Sequence, residues 1–383
     1  MKAEFLTALT GLTWDHPRGY DPLVMSLDHF KRKHPDVNLV WKKRSLNQFG
    51  LSSAEVSYKD YDLIIIDHPS IAEAVSTESL LAFDSLVSKS DLDLISNQFM
   101  GKSFDSYRYE NSIWALPIDA ACQVSAFRRD LIVDLPETWE QVIALAKTTQ
   151  HEVSRVGIPL DPTGCYCSFL TLYCNHGEFP CYSKKVLDFE KGIIVLEILK
   201  KLSDLSHPKS LDFDPPSLLD LMGSTREISY VPLIFGYSNY SRNSFRKYDI
   251  SFSDIPSAGL GPIGSVLGGA GIAVSSSTDH SEIAKDYALW ITSPVIQNGP
   301  YLSAGGQPAS IVTWYDIGAN KSTNNFFSNT KNTIVNAYVR PRFPGFIDIQ
   351  NKSGALIHDF LANNGDPVST MHELTKLSAT IYC

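Results

Sequence analysis

The tripeptide Asp-His-Pro occurs twice in this sequence, at residues 15–17 and 67–69. Each copy comes just after an apolar run, the first after Phe5–Leu12 and the second after Tyr61–Ile66. Nearly continuous apolar runs of this length are typical of strands buried on both faces of a parallel sheet. Ligands of open α/β sheets bind outside the carboxyl ends of the strands. The two tripeptides are therefore predicted to lie at the ligand-binding edge of one sheet.

The residue types in these tripeptides are compatible with three roles. Asp caps turns and Pro stiffens them, so both copies are explained by loop structure alone. Alternatively, Asp15, His16, Asp67 and His68 contact a ligand directly or through water. The same two carboxylates and two imidazoles could also hold a divalent metal ion, although nothing in the sequence fixes the distances between them.

Two arginines are candidates for pairing with an anionic group. Arg18 follows the first tripeptide and precedes a glycine, and Arg340 begins a short Arg-Pro segment near the end of the chain. The planar guanidinium matches carboxylate and phosphate groups bidentately. A solvated surface position is the alternative for each. If both arginines lie in one cleft, an anionic ligand is favoured over a neutral sugar.

Several aromatic and amide side chains complete the candidate binding residues. Trp14, Tyr166 and Tyr237 lie outside clear core patterns, and aromatic faces stack against sugar rings. Packing within the protein is the alternative role for these rings. Gln307 follows a Gly-Gly pair and is predicted to offer its amide to a ligand.

A glycine-broken apolar run, Val266–Val274, predicts a strand approached closely by another backbone, and Gly269 lies within it. The following Asp279-His280-Ser281-Glu282 has the spacing of a capping box and predicts a helix start. A Ser-Pro helix and the Gly-Gly-Gln-Pro loop end this stretch at Ser310.

Motifs of the common catalytic classes are missing from the sequence. It contains no Gly-x-Ser-x-Gly elbow, no phosphate-binding Gly-x4-Gly-Lys-Ser/Thr loop and no His-Glu-x-x-His pair. The prediction is a protein that is not an enzyme and needs no cofactor.

Length and charge limit the classes of partner. At 383 residues the chain predicts two domains. Its 33 Lys+Arg against 42 Asp+Glu give a net charge of −9, which argues against nucleic acid or an anionic membrane as partner. No run is apolar enough to span a bilayer. The first residues lack a leader cleavage pattern, so the chain as written is expected to be cytoplasmic unless a leader is missing.

Four of the six cysteines cluster at residues 165, 167, 174 and 181, and the others are Cys122 and Cys383. Their spacing differs from the paired Cys-x-x-Cys of structural zinc sites. Free, buried thiols are the simplest interpretation. A metal site, or disulfides in an oxidising compartment, are the alternatives.

Strand and helix patterns alternate along the first third of the chain. A helix is predicted from Pro22 to about His34, and Val37–Arg44 alternates apolar and polar residues as an edge strand does. Further helices are predicted at Phe189–Leu205, at Phe346–Ala362 and from Pro367 to about Ile381. This order favours an α/β fold built on parallel sheets.

Four segments together resemble family 1 solute-binding proteins, the carbohydrate-type (maltose-binding-protein-like) receptors of ABC importers. The sharpest is Pro136–Glu140, which reads Pro-Glu-Thr-Trp-Glu at a helix start. The others are the apolar, Leu-Pro-containing stretch Ile113–Phe127, the segment Val266–Ser310, and Arg340–Phe346, which reads Arg-Pro-Arg-Phe-Pro-Gly-Phe. They occur in the family's order and span most of the chain.

The resemblance implies a two-lobe, type II periplasmic-binding-protein-like fold with hinge crossovers, in which each lobe holds a mainly parallel sheet flanked by helices. The first lobe would comprise 1–120 and 268–316, and the second 121–267 and 317–383. Asp119, just before the first crossover, joins the candidate ligand contacts.

The implied function is capture of a sugar, polyol or small organic acid in an interlobe cleft. The expected state is a monomer that delivers its ligand to an ABC permease and ATPase. A cytoplasmic solute sensor, or an enzyme with an Asp/His metal site in the same cleft, are the alternatives.

Overall fold

A computed structural model describes residues 7–49, 57–149, 151–153, 155–180 and 187–379. Several sequence-based predictions lie outside these ranges. They are the first two residues of the predicted strand Phe5–Leu12, the cysteines Cys181 and Cys383, and the end of the last helix at Ile381.

The described residues contain eleven strands. They are β1 (Thr7–Trp14), β2 (Val37–Arg44), β3 (Leu63–Ile66), β4 (Leu80–Leu81), β5 (Arg108–Tyr109), β6 (Ser112–Ile113), β7 (Leu116–Phe127), β8 (Arg155–Val156), β9 (Ile228–Phe235), β10 (Ser251–Ser253) and β11 (Leu267–Ser275).

Seventeen α-helices accompany them in the described part of the chain. They are α1 (Pro17–Met25), α2 (Leu27–Lys31), α3 (Leu46–Phe49), α4 (Ile71–Ser76), α5 (Phe83–Leu86), α6 (Lys89–Ser96), α7 (Trp139–Thr149), α8 (Pro162–Asn175), α9 (Phe189–Leu205), α10 (Pro215–Ser224), α11 (Ser281–Thr292), α12 (Pro294–Ile296), α13 (Ile311–Tyr315), α14 (Ile317–Ser322), α15 (Phe326–Val335), α16 (Phe346–Ala362) and α17 (Pro367–Ala379).

The chain divides into two compact units. The first comprises Met1–Ala121, Gly268–Lys321 and Arg340–Ile347, and the second comprises Cys122–Leu267, Ser322–Val339 and Asp348–Cys383. The chain therefore passes between the units within β7 and again at the start of β11.

The sheet of the first unit has the strand order β2-β1-β3-β11, with β4 on the far side of β11. β1 runs parallel to both β2 and β3, whereas β11 is antiparallel to β3. All four residues of β3 are fully buried, which is why this strand reads as an unbroken apolar run. Leu12 and Ile66 pack with Tyr58 and Ala273 in the hydrophobic core.

The sheet of the second unit has the order β10-β7-β9-β8. β7 pairs antiparallel with both β9 and β10, and β8 runs parallel to β9. Leu196, Leu199 and Leu202 lie on the buried face of α9. Their spacing of three residues explains how the sequence predicted this helix. The α/β class with helix-flanked sheets is as predicted, whereas the parallel pairing expected to dominate each lobe occurs here in β8–β9 and not in β7–β9 or β7–β10.

The long periodic elements were predicted with the same bounds that the structure gives them. β2, α9 and α16 all begin and end at the predicted residues. Trp41 is buried while its neighbours Val40 and Lys42 are exposed, as the alternating pattern of an edge strand requires.

One predicted helix start and one predicted helix cap are wrong. α1 begins at Pro17 rather than Pro22, because Pro17 suits the first helical turn and His16 caps the helix by accepting from the Arg18 backbone N–H. The Asp279 capping box does not form, since His280 occupies the N-cap of α11 without a side-chain cap. Instead, the Thr278 hydroxyl accepts from the His280 backbone N–H at 3.1 Å.

The four cysteines within the described ranges, Cys122, Cys165, Cys167 and Cys174, are buried and are not joined by disulfides. This agrees with the simplest sequence interpretation for those four. In the part of the chain that the structure describes, none of the helices combines the length and apolarity needed to cross a bilayer.

Candidate functional site

The carboxyl end of β1 is closed by aromatic packing. The Trp14 ring lies 4.9 Å from the Phe49 ring, centroid to centroid. Gly19 in α1 sits against the indole so closely that a Cβ at this position would overlap it. Trp14 is 5% exposed. The Trp14 ring thus packs within the first unit, and ligand contact by Trp14 stays a prediction.

The two residues after Trp14 remain accessible. Asp15 is exposed and its carboxylate lies 2.7 Å from the Lys43 ammonium on the neighbouring strand β2. His16 is half-buried and uses its Nδ1 to accept from the Arg18 backbone N–H at 3.1 Å. Of the predicted contacts near β1, these two present polar atoms at the surface of the unit.

Arg18 pairs with Asp119 inside the first unit. Its Nε donates to Asp119 Oδ2 at 2.7 Å, and its Nη2 donates to Oδ1 of the same carboxylate. Both residues are buried. Burial raises the pKa of Asp119, and the guanidinium offsets part of this effect. The two residues are brought together from α1 and β7, as no sequence pattern could indicate.

Arg340 pairs with Asp67 in the same unit. Its Nη2 donates to Asp67 Oδ2 at 2.8 Å, and the Asp67 side chain keeps 17% of its surface exposed. Burial alone would raise the pKa of Asp67, but the charge of Arg340 and the hydrogen bond from His68 outweigh it and lower the pKa to about 2. Asp67 is thus ionised over the whole physiological range.

His68 is fully buried directly after β3. Its backbone N–H donates to Asp67 Oδ1 at 2.8 Å, and its ring stands edge-on to the Tyr107 ring. Burial lowers the pKa of His68 to about 4, and the cations Arg340 and Arg342 add to this effect. The imidazole is therefore neutral near pH 7, and direct ligand contact by His68 stays a prediction.

Tyrosines that the sequence analysis missed lie among the two ion pairs. Burial raises the pKa of Tyr107, and the carboxylates of Asp67 and Asp119 raise it further. Burial likewise raises the pKa of Tyr301, with Asp119 contributing. Tyr107 therefore lies within electrostatic range of both carboxylates. Tyr107 lies outside the motifs of the sequence analysis and Tyr301 lies within the Val266–Ser310 segment, but neither has a pattern that marks it as a neighbour of these carboxylates.

Gly269 and Gln307 both hold the backbone of β7. Gly269 has a φ of +110°, and an added Cβ would overlap the Asp119 carbonyl oxygen. The Gln307 side-chain amide donates to the Ala120 carbonyl at 2.9 Å, and Gln307 is fully buried. The close backbone approach expected at Gly269 is found. The Gln307 amide is engaged with the strand.

The remaining predicted contacts belong to the second unit. Tyr166 lies in α8 and is 4% exposed, and Tyr237 follows β9 and is 7% exposed. The Tyr237 ring contacts the Tyr240 ring edge-on at 6.2 Å. Tyr166 is therefore a helix residue, although the sequence analysis left it outside the clear core patterns.

In the first unit, the predicted residues thus form an edge of paired charges beyond the ends of β1 and β3. Asp15 is exposed and His16 and Asp67 are partly exposed, whereas Arg18, His68, Asp119 and Arg340 are buried. Among residues 7–49, 57–149, 151–153, 155–180 and 187–379, no group of three or more His, Cys, Asp or Glu side chains is arranged to hold a metal ion. The accessible groups can donate and accept hydrogen bonds.

No protein-family model matches the chain. Solved structures similar to it include maltose-bound MalE3 of T. maritima, with a TM-score of 0.83 and 17% sequence identity, covering 98% of this chain and 99% of that one. An ABC transporter solute-binding protein of Agrobacterium radiobacter in complex with ribitol has a TM-score of 0.83 and 17% identity, covering 99% and 100%.

An ABC transporter solute-binding protein of Thermotoga lettingae bound with α-D-tagatose matches with a TM-score of 0.81 and 15% identity, covering 98% of this chain and 99% of that one. Coverage of nearly the whole length of both chains confirms the fold that the four sequence segments predicted. The chain has the periplasmic-binding-protein-like α/β fold of these sugar- and polyol-bound solute-binding proteins.

Proposed function

We propose that the protein is a solute-binding receptor that captures a sugar or polyol for an ABC-type importer. The observation that carries this proposal is the match, over at least 98% of the chain, to solute-binding proteins whose structures hold maltose, ribitol and tagatose. Capture by such a receptor is reversible and requires no covalent chemistry. The ABC permease and ATPase are the partners that this function requires.

The charges of the first unit favour a neutral ligand within this class. The sequence analysis favoured an anionic ligand over a neutral sugar only if both arginines lay in one cleft. In the structure, Arg18 is paired with Asp119 and Arg340 with Asp67, so the four charges sum to zero. Paired charges offer both donors and acceptors, which suit the hydroxyl groups of a sugar or polyol better than a carboxylate.

The proposed ligand contacts in the first unit are Asp15, His16 and Asp67, because these side chains are accessible. The buried residues Arg18 and Asp119 would position the β1–α1 segment that carries the first two. Contacts from Tyr166 and Tyr237, and closure of a cleft around the ligand, stay predictions.

An enzyme based on the Asp-His tripeptides is not favoured. Asp67 is committed to Arg340, Asp15 to Lys43, and the His16 Nδ1 to the cap of α1. These engagements leave the residues poorly suited to hold a metal ion together.

Isothermal titration of the full chain against maltose, ribitol, mannitol and tagatose tests the proposal, with citrate and succinate as anionic comparisons. We expect one neutral ligand to bind with a dissociation constant in the micromolar range, about −8 kcal/mol, and the affinity to be unchanged by EDTA. Binding of only the carboxylates, no binding by any ligand, or turnover of a bound sugar would contradict the proposal.

A matched pair of variants tests the site. Asp15→Ala should weaken binding by about tenfold through loss of a charged acceptor, with an unchanged thermal transition. Asp28→Ala, another exposed carboxylate, lies on α2 and should change neither property. Equal affinities in both variants would place the site elsewhere.

A further inference from the structure

The second unit contains a cavity of about 540 Å³ at one end of its sheet, lined by Arg129, Asp130, Lys247, Tyr248, Asp249, Ser251, Asn324 and Asn325. Its volume lies within the range of about 300–1,000 Å³ that is usual for small-molecule sites. None of these residues belongs to the candidate site described above.

This cavity is remote from the predicted contact Tyr237 of the same unit. In the β7–β9 pair, Gln123 faces Phe235 at one end and Phe127 faces Tyr230 at the other. Arg129 follows the second end, whereas Tyr237 follows the first. At about 3.3 Å per residue, the four residue steps on β7 and five on β9 place the two ends about 13–16 Å apart. The cavity is therefore a second location and not an extension of the first.

The cavity is locally basic in a protein whose net charge is −9. Asp130 is already neutralised, because Arg128 donates to both of its carboxylate oxygens at 2.8 Å and Arg226 lies 3.3 Å away. Arg129 and Lys247, in contrast, form no ion pair with any described residue. Besides these two cations, the cavity is lined by the carboxylate of Asp249.

Arg128 and Tyr248 pack against each other beside the cavity, and Lys247 contacts the Tyr248 ring. The Arg128 guanidinium is buried, donates to the Met222 and Thr225 carbonyls at 2.7 Å, and lies 3.9 Å from the centroid of the Tyr248 ring. The Lys247 ammonium lies 4.9 Å from the centroid of the same ring. The Tyr248 ring, itself packed on Arg128, thus lies against the Lys247 ammonium.

The second cation is also held in place. The Nε of Arg129 donates to the Ser251 hydroxyl at 2.8 Å at the start of β10. This contact fixes the direction of the guanidinium, whose terminal nitrogens are the groups that bind oxyanions in forked geometry. Cations supported by such contacts lose less side-chain entropy on binding than unsupported surface lysines do.

We propose that this cavity is a binding site for a small oxyanion of the phosphate class, either free phosphate or a phosphate group carried by a small molecule. Arg129 and Lys247 bind the anion, and Asp249 limits its charge. This proposal does not depend on the proposed receptor function, because the two sites share no residue.

Titration calorimetry of the full chain with inorganic phosphate, at constant ionic strength in chloride, tests it. We expect saturable binding, with affinity lowered about tenfold or more in Arg129→Gln and in Lys247→Gln through loss of a charged hydrogen bond. Asp249→Asn should tighten binding, because it removes the opposing charge. Lys209→Gln, an exposed cation of the same unit outside this cavity, should bind as the wild type does.

Circular dichroism of each variant establishes that it is folded before titration. Titration with glucose 6-phosphate separates the two sources of the anion. Tighter binding than inorganic phosphate indicates a phosphorylated small molecule, and weaker binding indicates free phosphate. Absence of phosphate binding by the wild type overturns the proposal. Equal affinity of wild type, Arg129→Gln and Lys247→Gln overturns it as well, because the anion would then bind elsewhere.

Discussion

The guanidinium of Arg18 donates hydrogen bonds to both carboxylate oxygens of Asp119, although the two residues are 101 positions apart in the chain. Arg18 lies in the first turn of α1, and Asp119 lies in β7 near the point where the chain leaves the first unit. Both side chains are buried. The pair therefore ties the segment after β1 to the strand that leads out of the unit.

Removing one member of this pair should be costly. Asp119→Ala leaves the buried guanidinium without a partner and should lower the free energy of unfolding by about 3–5 kcal/mol. Urea denaturation at pH 7 measures this change. The double variant Arg18→Met/Asp119→Leu should lose less, because no orphaned charge remains.

Asp15→Ala is the matched control for Asp119→Ala, since the Asp15–Lys43 pair is exposed. Its free energy of unfolding should stay close to that of the wild type. If Asp119→Ala and Asp15→Ala lower the free energy of unfolding by similar amounts, burial does not account for the stabilising effect of the Arg18–Asp119 pair.

Asp67 makes a pH-dependent contribution to stability. Its pKa is lowered from 3.8 to about 2, so the folded state binds fewer protons than the unfolded state between these values. The resulting stabilisation of about 2 kcal/mol is fully present above pH 4 and is lost as the pH falls through 2. Asp67→Asn should therefore be less stable than wild type at pH 6 and nearly equal to it near pH 2.

Urea denaturation from pH 2 to pH 7 measures the Asp67 effect as the difference between the two curves. A constant difference across this range would show that the loss in Asp67→Asn comes from packing. The Arg340 ion pair would then have no measurable share in it.

The contribution of Asp161 to stability changes with pH in the opposite direction to that of Asp67. Asp161 caps α8 by accepting from the Gly164 backbone N–H at 3.1 Å, and burial raises its pKa from 3.8 to about 6, with Asp214 contributing. The unfolded state releases its proton first, so stability falls as the pH rises from about 4 to 6. Asp161→Asn keeps the capping oxygen and removes the charge. It should be more stable than wild type by about 1–3 kcal/mol at pH 7 and equal to it at pH 3.5.

Asp188→Asn serves as the control for Asp161→Asn, because Asp188 caps α9 by the same type of contact, accepting from the Lys191 backbone N–H at 3.2 Å. It should show no comparable gain at pH 7. Thermal denaturation at both pH values compares the two variants. If Asp161→Asn is less stable than wild type at pH 7, the buried charge does not carry the predicted penalty.

Alanine substitutions at Gly269 and Gly259 distinguish the cost of backbone strain from the cost of steric overlap. The φ values of the two glycines are +110° and +101°, but only at Gly269 would a Cβ meet another atom, the Asp119 carbonyl oxygen. Gly259→Ala should cost about 1–2 kcal/mol from the left-handed backbone alone. Gly269→Ala should cost clearly more by urea denaturation, because β7 must also move. If both variants lose the same free energy of unfolding, β7 moves to accommodate the Cβ at residue 269 without an energetic penalty.

The predictions from sequence succeeded where the signal is local and repeated. The bounds of β2, α9 and α16 follow from apolar periodicity over eight or more residues, which reflects one buried face per element. The start of α1 was misplaced because Asp-His-Pro reads equally well as a turn and as a capped helix start. A three-residue motif cannot distinguish these without the neighbouring strand.

By itself, the sequence determined the α/β class, the order of the segments that resemble solute-binding proteins, and the edge of the sheet to which both Asp-His-Pro tripeptides belong. Only the tertiary structure decided that Arg18 meets Asp119 and Arg340 meets Asp67. The physical reason is that each pair joins residues at least a hundred positions apart, whose distance depends on strand order. Charge neutralisation at that edge, on which the proposal of a neutral ligand rests, is a property of the fold.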